Sequence, residues 1–133
     1  MKSLSILFID DDEIERLKFK KVCESFNKDI SILEADNGKN ALVLLSNKTT
    51  TFDLIVSDLN MPVMDGFEFL KELKKNSKHK KTPVVIVSSL DDKETIDQCY
   101  KLGIASYFTK TQNFAGYKTK INSILEYWYK ATF

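Results

Sequence analysis

The chain is poor in residues that interrupt or staple a fold. Two prolines and four glycines stand among 133 residues, too few for a collagenous, Pro-rich or low-complexity chain. The two cysteines, Cys23 and Cys99, lie far apart and outside any metal-like spacing, so a disulfide framework is excluded. Both fall on expected helices, where buried free thiols are expected, in keeping with a reducing cytosol. No apolar run approaches the length of a membrane span, and the opening MKSLSILFIDDD meets acids too early for a secretory signal. An excess of one charge is missing too. Twenty Lys+Arg against 19 Asp+Glu leave a formal +1, so no global field favours nucleic acid or a membrane. The one local excess is Lys71–Lys81, with six lysines and the single histidine, His79. No aromatic interleaves it, and a solvated helix end and loop is the expectation, with His79 excluded as a phosphodonor.

What is present is ordinary globular material, 43% hydrophobic and 29% charged, at a length that fits one domain over residues 1–133. Short apolar, β-branched runs alternate with helix-like segments. The runs Leu4–Ile9, Ile30–Ala35, Phe52–Ser57, Pro83–Val87 and Ala105–Thr109 read as strands. Between them, Asp12–Ser25, with Ile14, Leu17, Val22 and Cys23 near helical spacing, Lys39–Ser46, burying Ala41, Leu42 and Leu45, and Asp65–Asn76, carrying Phe67, Leu70 and Leu73 inward, read as helices. Asp65 with Glu68 and Asp91 with Glu94 read as capping boxes, the second opening a fourth helix that runs to Leu102. Gly103 stands where a left-handed C-terminal cap is wanted. A last helix from about Phe114 to about Tyr129 places Phe114, Tyr117, Ile121, Ile124, Leu125 and Trp128 on one side, with Tyr127 and Tyr129 off it and exposed. Asp12 and Asp36 read as cap or turn residues, Tyr100 and Phe108 as packing. Five βα units with short loops predict an α/β doubly wound parallel sheet.

The chemistry sits where apolar runs stop. SILFIDDD ends in Asp10 and Asp11, and FDLIVSDLNMPVMDG breaks at Asp58. In open α/β sheets ligands bind at the carboxyl ends of strands, so these three acids are expected side by side. They repel one another unless a cation sits among them. Oxygen-only ligands with few protein groups suit Mg²⁺, and beside a metal Asp58 becomes a nucleophile toward a phosphoryl group. Ser88 and Lys110 end two further strands at the same edge. A hydroxyl there can donate to a phosphoryl oxygen. The ammonium can pair with Asp58 and then with the phosphoryl group.

Together, IDDD, SDLNMPVMDG, VVIVSS and SYFTK make the chain resemble, from end to end, a receiver domain of the two-component response regulator family. The resemblance implies the flavodoxin-like fold with strand order 2-1-3-4-5. It implies that Asp58 accepts phosphate from a histidine kinase or phosphotransfer protein, and that the backbone carbonyl of Asn60 completes the Mg²⁺ shell around Asp10, Asp11 and Asp58. Ser88 and Tyr107 are then the switch pair, and the fourth helix, fifth strand and fifth helix the output face. Two departures stand out: Thr111 replaces the usual proline after the lysine, and Ser88 stands where many relatives carry Thr. A cis bond before a non-proline costs about 3 kcal/mol, so a trans or strained Lys110–Thr111 peptide is expected. Asn60 and Leu90 occupy the positions the family ties to phosphate lifetime.

The expected function is a stand-alone cytoplasmic receiver without an output domain. It is no enzyme beyond Mg²⁺-dependent self-phosphorylation and slow autodephosphorylation. It would signal to a downstream protein target, or through a homodimer made by the last helix, or relay its phosphate. The alternative is a pseudo-receiver, an interaction module independent of phosphorylation. A free-standing Mg²⁺ phosphohydrolase lacks any cap segment to support it.

Overall fold

The computed structural model describes residues 2–133. The elements alternate as β1 (Ser3–Ile9), α1 (Glu13–Ser25), β2 (Asp29–Ala35), α2 (Gly38–Leu45), β3 (Leu54–Ser57), α3 (Gly66–Leu73), β4 (Val84–Ser88), α4 (Lys93–Lys101), β5 (Ser106–Thr109) and α5 (Phe114–Thr132). All neighbouring strands are parallel, in the order β2-β1-β3-β4-β5, the order that the family resemblance implies.

Alternation along each strand builds two cores. Leu7, Ile9, Ile55 and Ile86 face Ala41, Leu45, Phe69, Leu70, Leu73 and Cys99 of α2, α3 and α4. Leu4, Ile6, Phe8, Leu54, Val56, Val85 and Val87 face Phe19, Val22 and Cys23 of α1 and Tyr117, Ile121, Ile124 and Leu125 of α5. Because both faces of the central strands are covered, β3 and β4 are buried along their whole length and read as apolar runs, whereas β2, at the edge of the sheet, alternates. Phe8 and Phe19 stack with ring centroids 4.1 Å apart. Full burial of one such ring is worth roughly 1.5–3 kcal/mol. Both cysteines are buried free thiols.

Several local expectations are corrected. Helix α1 turns Phe19, Val22 and Cys23 inward and leaves Ile14 and Leu17 66% and 54% exposed. Its buried line is set by Phe19, which the spacing of Ile14 and Leu17 does not include. Leu42 and Phe67 pack against the first core but are only partly buried, and the fully buried aromatic of α3 is Phe69. The fourth helix is capped by Asp92, not Asp91: its carboxylate takes the Thr95 N–H and hydroxyl, at 3.0 and 2.7 Å. Tyr100 is exposed rather than packed. Phe114 is exposed, and Tyr129 is half-buried, its hydroxyl donating to the Lys2 carbonyl at 3.2 Å. Of the two off-stripe tyrosines, only Tyr127 is open to solvent.

The largest correction is His79. It is 1% exposed, not solvated. Its Nδ1 lies 3.0 Å from the Thr82 hydroxyl, and its ring packs on Phe52. Beside it, Lys78 Nζ donates to the carbonyls of Lys48 and Thr50 at 3.1 and 2.7 Å, strapping this loop to the one before β3.

Candidate functional site

Parallel pairing carries the polar residues to one edge. Ile9 stands opposite Ala35 and Ser57, and Ser88 opposite Thr109. The ladder then runs on: Asp10 N–H donates to the Ala35 carbonyl, Asp58 N–H to Ile9 and Lys110 N–H to Ser88, at 3.1, 2.9 and 2.8 Å. Each site residue is thus fixed by the strand it ends.

Asp10, Asp11 and Asp58 each offer a carboxylate oxygen, and these atoms lie within 4.8 Å of one another. Asp10 is buried, Asp58 half-buried and Asp11 exposed. An all-oxygen set open on one side suits a hard divalent cation that keeps waters. Asp58 is oriented at its other oxygen, where Oδ1 accepts the Leu59 N–H at 2.7 Å. Lys110 Nζ stands between the two strand-end acids, 3.1 Å from Asp10 Oδ2 and 3.5 Å from Asp58 Oδ2.

These charges are held at a cost. Burial pushes the Asp10 carboxyl up to about 6, against the pull of Lys110 and the Asp12 N–H. Burial also raises Asp58, again opposed by Lys110. Burial works against the Lys110 charge, but the Asp10, Asp58 and Glu15 carboxylates outweigh it and its pKa rises. More negative than positive charge converges here, an arrangement that a cation or a cation-neutralised phosphoryl group relieves.

The loop after β3 is shaped around Asp58. At Gly66 a Cβ would stand 2.7 Å from the Asp58 carbonyl oxygen and 2.9 Å from Leu59 Cα, so only glycine lets α3 start there. Asp65 and Glu68 form the expected capping box. Val63 adopts φ 68°, and Met64 N–H donates back to the Pro62 carbonyl at 2.8 Å, a γ-turn that a β-branched residue enters under strain. Asn60 is exposed in this loop, two residues past Asp58.

On the other flank, Ser88 is buried and its Oγ accepts the Leu90 N–H at 3.2 Å, while the Tyr107 hydroxyl donates to the Leu90 carbonyl at 2.6 Å. The backbone N–H and carbonyl of Leu90 thus join Ser88 to Tyr107, a link that sequence reading does not show because it runs through backbone. Among the described residues no peptide is cis, so Lys110–Thr111 is trans. The turn is held instead by Lys120, whose Nζ donates to the Thr109 carbonyl, and by Thr111, whose hydroxyl donates to the Asn113 carbonyl at 3.3 Å. Glu15, also missed, brings a fourth carboxylate to within 4.0 Å of Lys110 Nζ.

The family model for the response regulator receiver domain matches residues 6–122. Chemotaxis protein CheY-3 of Vibrio cholerae is 31% identical over 125 residues, 94% of each chain. The phosphorylated cyanobacterial phytochrome response regulator RcpA superposes with a TM-score of 0.91 at 24% identity, covering 98% of this chain and 96% of its own. The Mn²⁺-bound form of response regulator Rcp1 superposes at 0.85 with 25% identity, covering 94% of each. Among the described residues no helix is long and apolar enough to cross a membrane. With five parallel strands in the order 2-1-3-4-5 and an acid cluster at their carboxyl edge, the chain belongs to the response regulator receiver domain family.

Proposed function

We propose that the chain, residues 1–133, is a receiver working as a phosphorylation switch, with Asp58 as phosphoacceptor. The observation that carries this is Lys110 Nζ lying between Asp10 Oδ2 and Asp58 Oδ2, beside a third acid, Asp11. Asp10, Asp11 and Asp58, with the Asn60 backbone carbonyl, would hold Mg²⁺. Rcp1, similar in fold, binds Mn²⁺. When bound there, the cation would supply charge neutralisation of the phosphoryl oxygens. The chain's own groups do the rest. An Asp58 carboxylate oxygen attacks phosphorus, and the bond to the donor breaks with its electron pair leaving on the donor. With a phosphohistidine donor, the released imidazole nitrogen takes up a proton. Lys110 moves from carboxylate to phosphoryl oxygen, and the Ser88 hydroxyl donates to another. Ile14 and Leu17, exposed on α1, fit an apolar contact with a protein donor, a histidine kinase or a phosphotransfer protein.

In the same reading the output begins when Ser88 is drawn toward the phosphoryl group. Its bond with Leu90 N–H is then disturbed, and with it the Tyr107 hydroxyl on the Leu90 carbonyl. The signal leaves on the face of α4, β5 and α5, toward a downstream protein or a second copy of the chain. Exposed Tyr127, edge-on to Trp128 at 4.9 Å, offers an aromatic contact. Intact mass after incubation with acetyl phosphate tests the acceptor. A phosphoryl group is expected with Mg²⁺, is lost with chelator, and is absent in Asp58→Asn. The same yield in Asp58→Asn would sink the assignment.

A further inference from the structure

Helix α1 turns one acid inward. Its buried face includes Phe19, Val22 and Cys23, and Glu15, four residues before Phe19, continues that line toward the carboxyl edge of the sheet. A Glu three residues after an Asp N-cap ordinarily reaches back to the cap's N–H. Here the Asp12 N–H donates to Asp10 Oδ1 at 3.0 Å instead, and Glu15 is released to face the site. Its side chain is 18% exposed. Lys18 Nζ holds Oε1 at 3.3 Å, and that ammonium lies 4.4 Å from the centroid of the Tyr117 ring. The other oxygen, Oε2, is shut off from solvent and accepts no hydrogen bond. Lys110 Nζ stands 4.0 Å from it, within ion-pair attraction but about 1 Å beyond a charge-assisted hydrogen bond.

A carboxylate oxygen buried without a donor is unfavourable, and a small swing of Lys110 satisfies it. The ammonium therefore has two stations. One is Asp10 Oδ2 with Asp58 Oδ2, at 3.1 and 3.5 Å; the other is Glu15 Oε2. A divalent cation among Asp10, Asp11 and Asp58 competes for the first station and repels the ammonium from it. We infer that Glu15 is a positioning residue: it receives the Lys110 ammonium when Asp10 and Asp58 turn to a divalent cation, and so keeps Lys110 beside Asp58. This rests on the Mg²⁺-dependent reading above.

Mg²⁺ affinity measured by titration calorimetry tests it, in wild type, Glu15→Gln, Lys110→Ala and the double variant, with folding checked by circular dichroism. Glu15→Met, which fills a similar volume without charge, is read in parallel in case Glu15→Gln does not fold. Glu15→Gln is expected to weaken Mg²⁺ roughly three- to tenfold, because Lys110 then competes from a single station. In the Lys110→Ala background the same substitution is expected to change affinity less than about twofold, since Glu15 acts through the ammonium. An equal loss in both backgrounds would reveal only the field of one more carboxylate and overturn the inference. Unchanged affinity in Glu15→Gln overturns it too. A folded wild type that binds no Mg²⁺ overturns the metal reading and this inference with it.

Discussion

The two ends of the parallel sheet bury titratable groups in opposite ways. At the carboxyl end Asp10 and Asp58 enclose Lys110, with Glu15 and Asp11 close by, and carboxylates outnumber ammoniums. At the amino end His79 is buried beside a hydroxyl and an aromatic ring, with Nε2 unpartnered. The neighbouring ammonium, Lys78, is spent on backbone carbonyls. Burial and Lys78 lower the His79 pKa, so this end favours the neutral base. The contrast teaches that a buried ionisable residue is not by itself a site. Its partners decide: unbalanced like charges ask for a cation, whereas a neutral ring with one hydroxyl leaves a single polar atom unpaired, Nε2, and no charge to balance.

Removing one ammonium from each end should break the symmetry most. Lys110→Ala leaves Asp10 and Asp58 without their counter-charge. Loss of one partner from a buried pair costs about 3 kcal/mol, somewhat less here because Lys110 remains 18% exposed. In chelator at pH 7.5, urea unfolding should show a loss of about 2–3 kcal/mol. Mg²⁺ should return part of it by replacing the missing positive charge, adding about 1.4 kcal/mol at tenfold its Kd. Lys78→Ala at the other end should cost about 1 kcal/mol or less and ignore Mg²⁺. If Lys110→Ala matched wild type in chelator, the carboxyl-end charges would be solvated and the comparison void.

A pH series sharpens the same contrast by sign. Asp10 rises to about 6 in the fold from an ordinary 3.8, so the folded state binds the extra proton. Its contribution is full below the unfolded value and is lost as pH rises through about 6. His79 is lowered from 6.5, so its contribution is full above that value and is lost as pH falls below it. In metal-free wild type the two oppose each other between pH 7 and 5. His79→Asn, which keeps a polar atom near the Thr82 hydroxyl, should remove the acid-side loss and leave stability rising as pH falls. Thermal melts from pH 7.5 to 5 check it. An unchanged profile in His79→Asn would mean that His79 titrates as in water.

How much of this was legible follows from which link carried it. The strands and the meeting of Asp10, Asp11, Asp58, Ser88 and Lys110 at one edge were readable, because an apolar run that stops at a polar residue marks both a strand and its end; the order of the strands came only with the family resemblance. His79 was not, because six lysines around it read as a solvated loop and nothing local shows that the ring folds under Phe52. Glu15 was half-legible: it lies four residues before Phe19, on the inward line, but Ile14 and Leu17 drew the helix face the wrong way. The exchange of Asp91 for Asp92 at the cap of α4 is a one-residue ambiguity between adjacent acids. The Leu90 link between Ser88 and Tyr107 is carried by backbone atoms, which no side-chain pattern reports.

The smallest effect concerns backbone rather than charge, and it asks whether the carboxyl end is also strained where the amino end is not. Val63, at φ 68°, is the only non-glycine residue with positive φ among the described residues, and it is 74% exposed. Its side chain therefore gains little from burial to offset the conformation. A γ-turn with positive φ is strained for any residue with a Cβ, and a β-branched side chain adds crowding that Asn, unbranched at Cβ, does not. Val63→Asn should stabilise the fold by about 0.5–1 kcal/mol, seen as a rise in the urea midpoint at unchanged slope. Pro62 and Val63 lie between Asp58 and Gly66, whose close approach to the Asp58 carbonyl fixes the loop's far end. If the strain serves the proposed acceptor, Asp58, the stabilised variant should also phosphorylate more slowly with acetyl phosphate, about two- to threefold, since 0.5 kcal/mol of relieved strain is worth about that factor. A stabilised variant with unchanged rate would make Val63 a tolerated local misfit. A variant no more stable than wild type would show that the γ-turn is not strained at all.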